Sequence, residues 1–381
     1  MAFEESFFLK GANKTIVTEG NFKWVRTPAA EGADLSGSFQ SDVKNAFHEA
    51  RDAGIENPII AGVIPFDPKQ ESALFVPKSW KSFDSPQEAL SQQAITDRGS
   101  SETPVEVVNS TDNQAFDGYT GIVETAVEKI KSGDLDKVVL ARLRDIDISQ
   151  PISSADIISR LAEQNPTGFT FQVPLPDNES RLVGASPELL IRKSGSRFNS
   201  QPLAGSAARV PNKDKEVTEK LFNSKKDRFE HKLVVDSMKS TLSGKSAKLN
   251  VPDEPECIST SKLWHLATSI SGEAANSDEN VLALACLLHP TPALSGFPHD
   301  NARKLLTSLE PFDREFFGGI VGYCDSNGDG EWYIAIRCGK LGKTSIRLFA
   351  GAGIVQDSDP KSEWNETEVK LSTMMHVLCP Q

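Results

Sequence analysis

The sequence predicts a mixed α/β (α+β) fold of largely antiparallel sheets packed as a sandwich, with helices outside; length alone permits one large domain or two or three smaller ones. Three observations predict it. Strand-like and helix-like stretches arrive in blocks instead of alternating one by one. Several strand-like runs are joined by short turns, which fits antiparallel pairs, whereas parallel pairs need long crossovers. The 381 residues, 38% of them hydrophobic, are enough to bury a large core.

Taken in order, Pro58–Pro65 and Ala73–Pro77 are short β-like runs, and the stretch around Val43–Ala53 has helical spacing. Gln92 to Asn113 is polar and reads as a loop, either a boundary or a long surface excursion. It divides an N-terminal part, 1–113, from a core, 114–381. Ala115 to Ser132 has helical spacing and stops at Gly133. Lys137–Arg142 is a β-run, and Leu182–Ala185 and Glu188–Arg192 are strands broken at Ser186-Pro187. Asp214 to Leu242 reads as one helix. Val281–Leu288 reads as a buried helix, opened by polar Asn276–Glu279 and stopped before Pro290. Phe316–Cys324 and Glu331–Leu341 read as strands around the turn Asp325–Gly330. Ile346–Val355 is a further strand and Ser362–Leu378 a final helix.

Charge narrows the function. With 53 acidic against 41 basic residues, the net charge is -12, which argues against a nucleic-acid or anionic-membrane partner. An anionic substrate would need a local cation. Five dispersed cysteines without a CxxC pair fit reduced thiols in the cytoplasm. Glu4 and Glu5 stand where a signal peptide carries basic residues, and the longest apolar run, Val281–Leu288, is far too short to span a membrane. A soluble, cytoplasmic protein is expected. Several motifs are decoys. Asp325–Gly330 resembles a calcium loop, but Ile336 stands where the closing Glu belongs. Gly184-Ala-Ser-Pro-Glu188 lacks the last glycine of a nucleophile elbow, and Gly351-Ala-Gly353 lacks the third glycine of a dinucleotide fingerprint. The histidines have no zinc-ligand spacing.

Other residues can carry chemistry. Asp227 and Glu230 are three apart on one helix face, as are Glu363 and Glu366, with Lys370 a turn further on. If the two helices face each other, four carboxylates converge, and such a cluster suits Mg2+. Two solvated charged faces explain the same spacing. Lys137 opens an apolar strand. A desolvated ammonium there favours the free amine, the form of a general base, while a strand-end lysine reaching to water is the plainer alternative. Glu188 follows a proline and leads an apolar strand; partial burial would make it a general acid, and a strand-edge carboxylate is the alternative. Arg337 among apolar neighbours calls for an anion, from a substrate carboxylate or a structural ion pair. Gly205-Ser206 and Gly351 offer backbone N–H groups to an anion, or are ordinary turns.

The strings Lys137–Arg142, Gly184–Leu190, Pro202–Ser206, Lys226–Val234, Leu263–Thr268, His289–Pro298, Phe317–Gly322, Phe349–Val355 and Glu363–Lys370 occur in one order. Together the chain resembles the chorismate-utilising enzymes, and among them the siderophore-type isochorismate synthases. Ala61–Pro68 and Pro77–Trp80 extend the resemblance into the N-terminal third, so it covers most of the chain and implies one large domain, 1–381. The resemblance implies that Lys137 activates a water for attack on ring carbon C2 and that Glu188 protonates the hydroxyl leaving C4. It implies that Glu230 and Glu366 ligate Mg2+ directly, with Asp227 and Glu363 behind them. Arg337 and the Gly351 backbone would grip the enolpyruvyl carboxylate, with Lys370 nearby. Gly205, Ser206 and His265 would line the ring side, and Ala293 would also touch the substrate.

Because water adds and hydroxide leaves, such a reaction is close to balanced and reversible, and a downstream isochorismatase is expected to draw off the product; a monomer is expected, although the sequence does not fix the oligomeric state. Ala204 occupies the position of the nucleophilic lysine of aminodeoxychorismate synthases, and Lys137 that of an uncharged residue in anthranilate synthases. Water is therefore the expected nucleophile, and no glutamine amidotransferase partner is expected. Two alternatives stay open: a salicylate synthase, which goes on to expel pyruvate, and a menaquinone-pathway isochorismate synthase.

Overall fold

Strand Lys137–Ile148 organises the molecule. It pairs antiparallel with Ser345–Ile354 over ten residues, from Ser345 opposite Asp147 to Ile354 opposite Val138. Its end takes Val107–Asp112 as a further neighbour, and its start takes Gly296–Phe297. The computed structural model describes residues 3–94 and 106–378. Among them, seventeen strands are linked into one sheet system, and Leu203–Ala208, Glu256–Ser259 and Leu263–Ala267 form a separate small sheet. Every pairing among the described strands is antiparallel.

Side-chain alternation builds the layers. In strand Ile59–Ile64, Ile59, Ala61 and Val63 point to one face, and Ile60 and Ile64 to the other. The first set joins Phe75, Leu143, Phe171, Val173, Leu182 and Phe349 in a core that holds no helix residue, the interior of the sandwich. The second set meets helices Ser38–Asp52, Lys225–Ser243 and Val281–Leu288. Two further clusters pack helices Ser154–Gln164 and Pro360–Leu378, and helices Phe116–Lys131 and His299–Leu309, on other outer faces. The single α/β domain with helices outside is the predicted architecture. No helix of the described residues is long and apolar enough to cross a membrane.

Four expectations need correction. Asp214–Leu242 is two helices, Asp214–Asn223 and Lys225–Ser243. They part at Ser224, whose side chain accepts from the Asp227 N–H and so caps the second helix. Glu331–Leu341 is two strands, Gly330–Ile334 and Cys338–Leu341. The chain turns between them through Arg337, at φ +49°. The first pairs with Leu189–Ser194 and the second with Arg181–Ser186, so the turn carries the chain between partners that are themselves parted at Pro187-Glu188. The strand expected from Phe316 begins at Ile320. The polar 92–113 stretch is not all loop: Pro86–Ala94 is helical and Val107–Asp112 is a strand, while residues 95–105 lie outside the described residues. That strand is mostly exposed, held by its ladder bonds and by the ion pairs of Asp112 with Arg142 and Arg144, and no apolar face betrays it in the sequence.

Candidate active site

Beyond Phe317 and Phe349, at the end of the sandwich core, the interior opens into a cavity of about 70 Å³. Glu188, Gly205, Ser206, Glu230, His265, Ala293, Arg337, Gly351, Glu366 and Lys370 line it. Lys137, Asp227 and Glu363 do not. Lys137 is fully buried just behind the wall, its Nζ 3.0 Å from Oε1 of Glu230. The contact is an ion pair without an aligned hydrogen bond. Two glycines permit this layering. A Cβ on Gly353 would stand 2.0 Å from Oε1 of Glu230, and one on Gly205, at φ +77°, 2.9 Å from Cβ of Asp227.

Glu188 sits in the break between strands Arg181–Ser186 and Leu189–Ser194, which turns its side chain away from either ladder. Ser186 Oγ accepts from its N–H at 3.1 Å, and Leu203 N–H donates to its Oε1 at 3.4 Å. Burial pushes its carboxyl up to about 7, more than the Leu203 N–H and the charges of Lys137, Arg337 and Lys370 draw it down. It is a carboxylic acid poised to lose its proton near neutrality.

Arg337 is buried, and among the described residues its guanidinium has no ion pair and no hydrogen bond. Burial lowers it to about 10, against the attraction of Glu366 and Glu188. His265 is held well below its usual value by burial, with Arg337 and Lys370 adding to the effect, so it is a neutral imidazole. Its Nδ1 lies 2.9 Å from Ser206 Oγ, while Nε2 is buried without a hydrogen-bond partner among the described residues.

The acidic wall comes from two helices, Lys225–Ser243 and Pro360–Leu378, joined by Lys226 to Glu363 at 2.5 Å. Lys370 holds Glu366 at 2.6 Å and also donates to the Gly351 carbonyl at 2.7 Å. Among the described residues, no three acidic, imidazole or thiolate groups stand around one point as metal ligands. Ammonium groups hold three of the carboxylates. The donor set still fits a hard divalent cation, since it is all oxygen and mutually repulsive. Burial raises Asp227, and Glu230 and Glu366 add to it; burial pushes Glu363 to about 7, and Glu366 adds to that. Glu230 and Glu366, on the lining, are the pair that could ligate an ion in the cavity.

Spacing alone did not single out Lys226 as part of this wall, although it stands beside Asp227 in the sequence. Val139, Leu203, Leu294, Phe317, Ile336 and Phe349 also line the cavity. An apolar wall residue looks like any core residue in a sequence, so no signal marked them.

A fold of antiparallel strands around an acid, a free guanidinium and an acidic wall defines a small-anion enzyme. The chain matches the family model described as chorismate binding enzyme over residues 66–379, and it belongs to that family. It is 48% identical to the isochorismate synthase EntC of Escherichia coli strain K12, over 97% of this chain and 94% of that one. The solved structure of DhbC from Bacillus anthracis, assigned as a 2,3-dihydroxybenzoate-specific isochorismate synthase, superposes with a TM-score of 0.89. It is 38% identical, covering 98% of this chain and 96% of its own. MenF of Escherichia coli, the menaquinone-specific isochorismate synthase, superposes at 0.80 with 25% identity, covering 98% of this chain and 88% of its own.

Proposed function

We propose that this chain is an isochorismate synthase, adding water at C2 of chorismate and releasing the C4 hydroxyl, with Mg2+ as cofactor. The observation that carries the reading is a buried carboxylic acid, Glu188, sharing one cavity with a buried guanidinium, Arg337, that has no partner among the described residues. The first can protonate a leaving hydroxyl near pH 7, and the second can receive a carboxylate in a two-pronged hydrogen bond. The identity to EntC and the superposition on DhbC support the choice of reaction.

Each residue then has a task. Arg337 and the Gly351 backbone hold the enolpyruvyl carboxylate, with Lys370 beside them. Lys137 lies behind the wall as the ammonium partner of Glu230, and it would take the proton of the attacking water only as the free amine, released when Glu230 turns to a bound ion; Glu188 gives a proton to the departing hydroxyl. Neutral His265, Gly205, Ser206 and Ala293 bound the ring. Glu230 and Glu366, with Asp227 and Glu363 behind them, would hold Mg2+, which would supply positive charge for the ring carboxylate in a protein of net charge -12. The substrate and product differ little in bonding, so the reaction runs both ways and an isochorismatase downstream would draw it forward. The match to a 2,3-dihydroxybenzoate-specific relative supports a place in catechol siderophore synthesis.

Product analysis by NMR after incubation with chorismate and Mg2+ tests the reaction. Isochorismate is expected; salicylate with pyruvate as main products would overturn the reading. EDTA should stop turnover and added Mg2+ restore it, and activity that persists in metal-free protein removes the metal role. Disrupting the gene in its host should abolish catechol secretion under iron limitation; a menaquinone deficit instead would move the enzyme to that pathway.

A further inference from the structure

We propose that Arg142 is a positioning residue that sets the rotation of helix Pro360–Leu378 and thereby aims Glu366 and Lys370 into the cavity. The inference rests on the reaction and metal proposed above. Arg142 lies in strand Lys137–Ile148, opposite Ala350, with its side chain fully buried and outside the cavity lining. Nothing in the proposed chemistry uses it.

Three of its four side-chain contacts fall on one side of one helix, and the fourth reaches Asp112 on the neighbouring strand. The guanidinium lies over the Trp364 ring, 3.7 Å from its centroid. Nε donates to Thr367 Oγ1 at 2.8 Å, Nη2 donates to Glu368, and Nη1 stands 3.3 Å from Asp112. Arg144 holds the same two acids, Glu368 at 2.8 Å and Asp112 at 2.6 Å. Trp364 is fixed from behind by edge contacts with Phe116 and Tyr119. At 3.6 residues per turn, positions 363, 366 and 370 share one face of the helix, and 364, 367 and 368 share the adjoining one. One planar side chain thus grips three residues of the second face, by stacking, by hydrogen bond and by charge. With that face fixed against the strand, the first face has a single orientation toward the cavity. The strand that supplies the grip is the one that begins with Lys137, so the base and the acidic wall are referred to a common element. Misplacing a catalytic group by 1 Å costs on the order of 10²-fold in rate, so loosening this grip should be felt in turnover.

The test compares wild type with Arg142→Met and Arg142→Lys. Each is titrated with Mg2+ alone by calorimetry, assayed with chorismate, and melted. The expected results for Arg142→Met are Mg2+ affinity about tenfold weaker and kcat lower by roughly 10–100-fold. Arg142→Lys keeps the charge but loses the stack and the fork, so it should recover part of both losses. A purely structural arginine would lower the melting temperature and leave Mg2+ affinity and kcat of the folded protein within twofold of wild type, and that result overturns the inference. If Arg142→Met does not fold, Thr367→Val decides. It removes one acceptor of the grip, and wild-type Mg2+ affinity and kcat would count against the proposal. Wild type that turns over chorismate without binding Mg2+ sinks the metal reading instead, and the kcat ratio alone then decides for Arg142. Wild type inert toward chorismate sinks the proposed reaction, and the inference falls with it.

Discussion

Arg314 and Arg337 are both buried, at 3% and 7% exposure, and their surroundings are opposite. Arg314 is saturated. Its Nε donates to Glu310 at 2.8 Å, Nη1 to the Leu294 carbonyl at 2.8 Å and Nη2 to the Val139 carbonyl at 2.6 Å, and it lies over Phe66. Glu310 in turn accepts from the Ala141 N–H. The cluster ties the strand of Lys137 to the segment holding Ala293 and Leu294. Arg337 has none of this among the described residues, although the desolvation it suffers is of the same kind. Burying a charge without a partner is costly, and a fold retains such a group where a ligand completes it. The contrast separates charge that holds the molecule together from charge left open in the cavity, which we propose receives the substrate.

The largest expected effect falls on the cavity side. Glu188→Gln is nearly isosteric but cannot give up a proton, so turnover should drop about 10²–10⁴-fold, the range for removing a general acid. Folding should be unimpaired at neutral pH. Steady-state assays with a melting curve check both halves, and a variant within tenfold of wild type would remove Glu188 from the chemistry. The two arginines should then dissociate. Arg314→Ala leaves Glu310 buried and unpaired and should destabilise the fold by about 3–5 kcal/mol, measured by urea unfolding. Arg337→Ala should lower kcat/KM by roughly 10–150-fold, the worth of a charge-assisted hydrogen bond, with stability unchanged or higher. If Arg337→Ala unfolded the protein as Arg314→Ala does, the distinction between the two regions would be lost.

The next effect depends on pH. The Glu188 carboxyl is raised in the folded state from 4.5 to about 7. The folded state therefore holds this proton more tightly than the unfolded one. Its contribution to stability is complete below 4.5 and lost as pH rises through 7, a difference of about 3 kcal/mol. The stability difference between Glu188→Gln and wild type should accordingly swing in favour of the variant across that window. Over the same range kcat of wild type should fall as the acid loses its proton above pH 7. A flat difference between pH 5 and 8 would mean that Glu188 is not the titrating acid.

These contrasts explain which features could be read in the sequence. Helix Val281–Leu288 has the bounds expected of it, because a long apolar run begins at a side-chain cap, Asn280, and ends before a proline. Resemblance named ten residues that line the cavity, since its strings span the strands and helices that meet there, and three, Lys137, Asp227 and Glu363, that stand behind the wall. The break at Ser224 was hidden because helix-forming residues continue on both sides of it. The break before Cys338 was hidden because Ile-Ala-Ile reads as strand, and the left-handed Arg337 backbone has no signature in residue type; it costs roughly 1–3 kcal/mol that the surrounding pairings must outweigh. Spacing could place Glu230 on a helix face, but only the fold brings the Lys137 ammonium against it.

The smallest effect sharpens the same distinction at a helix end. Ser224 starts the helix that carries Asp227 and Glu230, and its hydroxyl accepts from the Asp227 N–H at 3.2 Å. The group is satisfied within the protein, as Arg314 is, and lies outside the cavity lining. Ser224→Ala should cost about 1 kcal/mol, the usual worth of such a cap. Kinetic constants should stay within about twofold, because the second turn, with Glu230, keeps its own backbone bonds and its contact with Lys137. A loss of turnover much larger than the loss of stability would mean that the cap also orients the acidic wall. Ser224 would then belong with Arg337 and Glu188, among the groups whose worth is read in catalysis.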